Sequence, residues 1–68
     1  MQYKDIQIGG IYKTRSTGYP VRVQITAKKR TKNFYKLEYT YVDKHPFGYT
    51  TGWQFSETYN FPNVSAVD

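Results

Sequence analysis

The sequence predicts an all-β fold, a small five-stranded and partly open barrel with a single short helical turn near the C-terminus. Three observations carry that expectation. Thirteen of the 68 residues are aromatic (eight Tyr, four Phe and one Trp), Ala and Leu are scarce, and β-branched residues are frequent. Two stretches alternate apolar and polar residues with a strict period of two. Turn-forming residues recur at short intervals throughout.

The clearest strand carries Val21, Val23, Ile25 and Ala27 in alternation with Arg22, Gln24, Thr26 and Lys28, one buried face and one wet face. Tyr35, Leu37, Tyr39 and Tyr41 alternate with Lys36, Glu38 and Thr40 in the same way. The polar loop Lys29-Arg30-Thr31-Lys32-Asn33 joins them. Pairing the two as a hairpin sets Ala27 against Tyr35, Ile25 against Leu37, Val23 against Tyr39 and Val21 against Tyr41, with every apolar residue on one face.

An earlier strand is expected over Ile11 to Ser16, entered through Gly9-Gly10 and left through the turn Thr17-Gly18-Tyr19-Pro20. Its parity is open from the pattern alone; Tyr12 and Thr14 are assigned inward because the alternative buries Lys13 and Arg15. A fourth strand is expected over Tyr49 to Phe55, after the loop Asp43-Lys44-His45-Pro46-Phe47-Gly48. Ser56 is placed to cap a helical turn reaching Tyr59, Pro62 ends it, and Val64 to Val67 form a short closing strand. Phe55 and Phe61 are expected to close the bottom of the barrel.

A single domain of 68 residues buries about 60% of its unfolded surface, so its core is thin and leans on large aromatic side chains. With no Cys, disulfides and thiolate metal sites are excluded. No segment reaches the roughly 20 apolar residues of a membrane-spanning helix, and residues 1–13 lack a signal-peptide apolar region. A cytoplasmic protein without membrane contact is the expectation. The sequon Asn63-Val64-Ser65 therefore reads as chance.

Enzymatic readings find little support. His45, the one histidine, sits in a Pro-containing turn and reads as a solvated loop residue. Glu38 and Glu57 fall on separate elements, so no pair of carboxylates is spaced for acid–base work. One His without Cys cannot anchor a metal, and no glycine-rich loop opens a helix. The chain is read as a non-enzyme without cofactor or metal.

Charge carries the stronger signal. Eight of ten basic residues lie between Ile6 and Leu37, a span that holds no acid, and the net charge is +5. Lys28, Lys29, Arg30 and Lys32 crowd one loop tip; Arg22 and Lys36 project from the wet face of the same hairpin; Lys13 and Arg15 join from the neighbouring strand. Segregated positive charge describes a partner, either nucleic acid or an acidic protein. Among the aromatics, Tyr35, Tyr39 and Tyr41 are expected to pack inward, with Tyr41 at the strand end near solvent. Tyr19, Phe47, Tyr49 and Trp53 come from turns or the fourth strand, and Phe34 has wet-face parity beside Lys36. These are the candidates for base stacking or for holding a cation.

Gly10-Ile11-Tyr12, Gly18-Tyr19-Pro20-Val21-Arg22-Val23-Gln24-Ile25 and Leu37-Glu38-Tyr39-Thr40-Tyr41 together resemble a Tudor or related SH3-like module over residues 9 to 55. The resemblance implies an SH3-like barrel. From the Tudor side it implies an aromatic cage for methylated Lys or Arg, with Tyr19, Tyr41, Phe47 and Tyr49 at the cage positions. From related modules of ribosomal and transcription factors it implies nucleic-acid binding, which suits the charge better. The basic, aromatic-rich composition is also similar to small phage-encoded accessory proteins. The leading expectation is a non-enzymatic module binding DNA or RNA through its basic hairpin face. The alternative is a protein-interaction module docking that face on an acidic partner.

Overall fold

The computed structural model describes residues 1–16 and 18–67. Five antiparallel strands form one sheet in the order β4-β3-β2-β1-β5, with β1 at Ile11–Ser16, β2 at Tyr19–Arg30, β3 at Tyr35–Tyr41, β4 at Thr51–Ser56 and β5 at Ser65–Ala66. The sheet does not close, since β4 and β5 are its two free edges. The expected all-β, five-stranded, partly open architecture is therefore what forms.

Strands β1 and β3 have the expected bounds, and Tyr12 and Thr14 point inward as assigned. Of the turn expected over Thr17-Gly18-Tyr19-Pro20, Thr17 lies outside the described residues and Tyr19 and Pro20 belong to β2; Gly18 has φ +86°, a conformation that glycine adopts without steric cost. The fourth strand begins two residues later than expected, and the closing strand is confined to Ser65–Ala66 on the outer side of β1.

The core is built on the sheet's inner face by Tyr12, Val21, Val23, Ile25, Leu37 and Tyr39. Ile6, Phe61 and Val64, from the two terminal segments, cover it. Each fully buried aliphatic side chain contributes about 1.5–3 kcal/mol relative to exposure. The covering segments are tied to each other: the Met1 ammonium donates to the carbonyls of Phe61 and Val64 at 2.8 and 3.0 Å, and the Tyr3 amide donates to the Tyr59 carbonyl at 2.7 Å.

The hairpin register departs from expectation in two ways. Ile25 faces Tyr39 and Val23 faces Tyr41, a slip of two residues that keeps every side chain on its face. Between Ile25 and Ala27 the pairing then shifts: Ile25 opposes Tyr39, Ala27 opposes Glu38, and Thr26 is the extra residue of a β-bulge. Beyond it the faces of β2 exchange. Lys28 now opposes Leu37 and Arg30 opposes Tyr35 on the inner side, while Lys29 opposes Lys36 on the outer side.

Three further expectations are corrected. The short helical turn lies near the N-terminus, a 3-10 turn at Tyr3–Asp5, and not at Ser56 to Tyr59. There the Ser56 hydroxyl accepts from the Thr58 amide and donates to the Asn60 carbonyl, and Asn60 bridges Gln2, so the chain is drawn out as a partner rather than wound. Phe61 closes the bottom as expected, but Phe55 does not: it opposes Lys36 on the outer face of β4. His45 is buried at 2% exposure instead of solvated. Its burial is tolerated because both ring nitrogens find hydrogen-bond partners, the Phe47 amide and the Ser16 hydroxyl.

Candidate nucleic-acid interface

Cross-strand pairing assembles a mixed aromatic and cationic surface on the outer face of the sheet. One row runs Phe55 (β4), Lys36 (β3), Lys29 (β2); the next runs Trp53 (β4), Glu38 (β3), Ala27 (β2). Trp53 and Phe55 are two residues apart on one strand, so both project outward, 58% and 56% exposed. Their rings stack at 5.7 Å with 21° between planes. Phe34 meets Phe55 edge-on at 5.9 Å, and the Lys36 ammonium lies 4.9 Å from the Trp53 ring centroid. Phe34, Lys36, Trp53 and Phe55 line a shallow cleft of about 220 Å³.

Farther along the same face, Lys13 pairs with Arg22 across β1 and β2, and exposed Arg15 opposes Pro20. Acids from outside the basic segment reach in to meet part of this charge. Asp43 takes Arg22 in a forked pair, with Oδ1 2.7 Å from Nη2 and 3.1 Å from Nε, and also accepts from the Arg22 amide. Glu38 takes Lys29 at 2.9 Å and lies 4.0 Å from Lys36. The hydrogen bonds from Arg22 and Lys29 hold the Asp43 and Glu38 carboxyls below their ordinary values, and Asp43 raises the already high pKa of Arg22. Lys13, Arg15 and exposed Lys32 enter no ion pair among the described residues.

The bulge divides the loop-tip cluster that the sequence presents as one unit. Lys29 stays with the outer face, while Lys28 and Arg30 turn to the inner side, where they lie over tyrosine rings: Lys28 at 4.3 Å from Tyr3 and Arg30 at 5.5 Å from Tyr35. Tyr3, Tyr35, Tyr59 and Lys4 were not among the sequence candidates for a site, because only the inverted parity beyond Thr26 brings the cations to them.

Tyr19, Tyr41, Phe47 and Tyr49 do converge, and the residue at their meeting point is His45. Its ring lies 4.9 Å from Tyr41, 5.7 Å from Phe47 and 4.7 Å from Tyr49, and Tyr19 meets Phe47 edge-on at 5.9 Å. The Phe47 amide donates to His45 Nδ1 at 3.0 Å, which places the neutral ring's proton on Nε2, 3.0 Å from the Ser16 hydroxyl. Ser16 in turn lies 2.9 Å from the Tyr41 hydroxyl. This tautomer donates toward the serine, so the pair is not poised to remove its proton as a general base would. His45 is buried among these rings, while Tyr19, Phe47 and Tyr49 stay about half exposed. The group reads as a packed loop anchor.

No set of three or more His, Asp or Glu side chains among the described residues is placed to hold a metal. No helix among them is long and apolar enough to cross a membrane. No family model, curated protein or solved structure matches the chain.

Proposed function

We propose that this chain is a non-enzymatic module that binds single-stranded nucleic acid on the outer face of its sheet. The carrying observation is the exposed, stacked Trp53–Phe55 pair beside Lys36. The two ring centroids stand 5.7 Å apart and both side chains are more than half exposed, a platform on which bases of an extended single strand can stack. A duplex keeps its bases stacked on each other and offers no ring to such a platform. Lys36 and Lys29 flank the rings; Lys13, Arg15 and Lys32 supply further phosphate contacts. The open five-stranded sheet suits the SH3-like and nucleic-acid-binding resemblance noted from the sequence, and that relationship belongs to the proposal.

Trp53 is the only tryptophan, so its fluorescence reports this site alone. Titration with a mixed-sequence single-stranded oligonucleotide should quench it, and log affinity should fall with log salt at about 0.7 per phosphate contacted. Trp53→Ala, followed by anisotropy of a labelled strand, should cost about 1–3 kcal/mol, the worth of one stacked base. Unchanged affinity in Trp53→Ala would refute the platform. A second reading, docking on an acidic protein, draws on the carboxylates that Arg22 and Lys29 already hold on this face. It is favoured if oligonucleotides fail to bind at low salt while an acidic polypeptide quenches Trp53.

A further inference from the structure

The inner side of the hairpin tip carries a second site. Gln2, Tyr3, Lys4, Arg30, Tyr35 and Tyr59 line a groove of about 400 Å³, a volume within the range of small-molecule sites. Two strands and both terminal segments build it. Tyr35 comes from β3, Arg30 from β2 beyond the bulge, Tyr3 and Lys4 from the 3-10 turn, and Tyr59 from the segment bonded to that turn. Tyr3 and Tyr35 are half-buried against the core, tilted by 58° at 4.9 Å, and form the groove's wall, while Tyr59 is 58% exposed.

The three ion pairs among the described residues all lie elsewhere, on Arg22, Lys29 and Lys36. Arg30 and the adjoining Lys28 lie over ring faces and enter no ion pair among the described residues, which leaves N–H donors for an oxyanion. Aromatic walls and unspent basic donors within one groove specify a ligand with both a flat ring and an anionic group. We infer that this groove binds a nucleobase bearing a phosphate monoester, either a free mononucleotide or the phosphorylated terminal nucleotide of a strand. The base lies against exposed Tyr59, and the phosphate takes Arg30 and Lys4.

This site is separate from the outer-face platform, and the test keeps the two apart. Backbone amide shifts are followed by NMR as a mononucleotide, its nucleoside and inorganic phosphate are each titrated into the full chain. The mononucleotide should move the amides of residues 2–4, 30, 35 and 59, and should do so equally in Trp53→Ala, where stacking on the outer platform is lost. The nucleoside should bind about tenfold more weakly, having lost the charge-assisted contacts. Arg30→Gln should reproduce that loss for the nucleotide, and Tyr59→Ala should weaken nucleoside and nucleotide alike; both side chains are exposed, so neither change empties the core. A strand with a 5′-phosphate gaining affinity over its hydroxyl form, with the gain lost in Arg30→Gln, identifies the terminal nucleotide as the source; free nucleotide binding without that gain identifies the mononucleotide. Equal binding of nucleotide and nucleoside, inorganic phosphate matching the nucleotide, or no shift at millimolar nucleotide each overturn the inference. None of these outcomes depends on Trp53.

Discussion

Gly52 is where the platform strand touches the core, and replacing it by alanine tests the packing beneath the platform. Gly52 opposes Tyr39 with its hydrogens turned inward. A methyl there would stand 2.5 Å from the Tyr41 hydroxyl and 2.9 Å from the Tyr39 ring edge, where ordinary contact begins at 3.4 Å. Neither ring is free to retreat. Tyr41 is tethered to Ser16 at 2.9 Å, and Tyr39 lies in the core with its hydroxyl facing Gln54. Overpacking of this kind costs about 1–3 kcal/mol, offset by roughly 0.5–1 kcal/mol because alanine loses less chain entropy than glycine. A net loss of about 1–2 kcal/mol lowers Tm by about 4–16 °C in a domain of this size. Thermal and urea unfolding followed by circular dichroism would measure it. Since the nearest atom is the Tyr41 hydroxyl, Tyr41→Phe should recover part of the loss, giving a favourable coupling in the double-mutant cycle. An unchanged or raised Tm for Gly52→Ala, or strictly additive effects in the cycle, would refute the reasoning.

Two further predictions concern ionisation and charge. Burial pushes the Tyr39 hydroxyl up to about 12, above its ordinary value of 10, so the folded state favours the neutral phenol. That contribution is whole below pH 10 and is lost as pH rises toward 12, and stability measured across this window should fall more in the parent than in Tyr39→Phe. Asp43→Asn releases Arg22 from an exposed pair; Tm should barely change, while single-strand affinity rises and its salt slope steepens by up to about 0.7. Weaker binding by Asp43→Asn would count against the outer face. The sign of the carboxylate effect is the reverse of that for tyrosine: with both carboxyls held low, the Asp43 and Glu38 pairs contribute at neutral pH and are lost as pH falls through the carboxylate range.

The parts of the fold visible in the sequence are those written in a period of two. The bounds of β1 and β3 follow from alternation ended by turn residues, and the inward setting of Tyr12 and Thr14 follows from the cost of burying Lys13 and Arg15. Alternation cannot distinguish a register from one slipped by two, because both put the same residues on the same face; hence Ile25 was matched to Leu37 where Tyr39 stands. It is also silent on the bulge, since the pattern from Val21 to Lys28 runs through Thr26 without a break. The outward setting of Phe55 was legible and overlooked: it shares strand parity with Trp53, already placed outside. His45 was misjudged because its two hydrogen-bond partners, the Phe47 amide and Ser16, lie two and 29 residues away, and only folding shows that both are met. Of the site, the exposed aromatics and the basic run were readable; which cations already have carboxylates was not, because Asp43 and Glu38 arrive from outside the run.

The bulge at Thr26 makes surface chemistry depend on how β2 is paired and not only on which residues it holds. A regular ladder over the same residues would set Thr26 against Glu38 and Ala27 against Leu37, turning Lys28 and Arg30 outward and Lys29 inward, whereas with the bulge the three hold the reverse positions. Two chains of this type with equal composition can therefore present opposite faces to a polyanion.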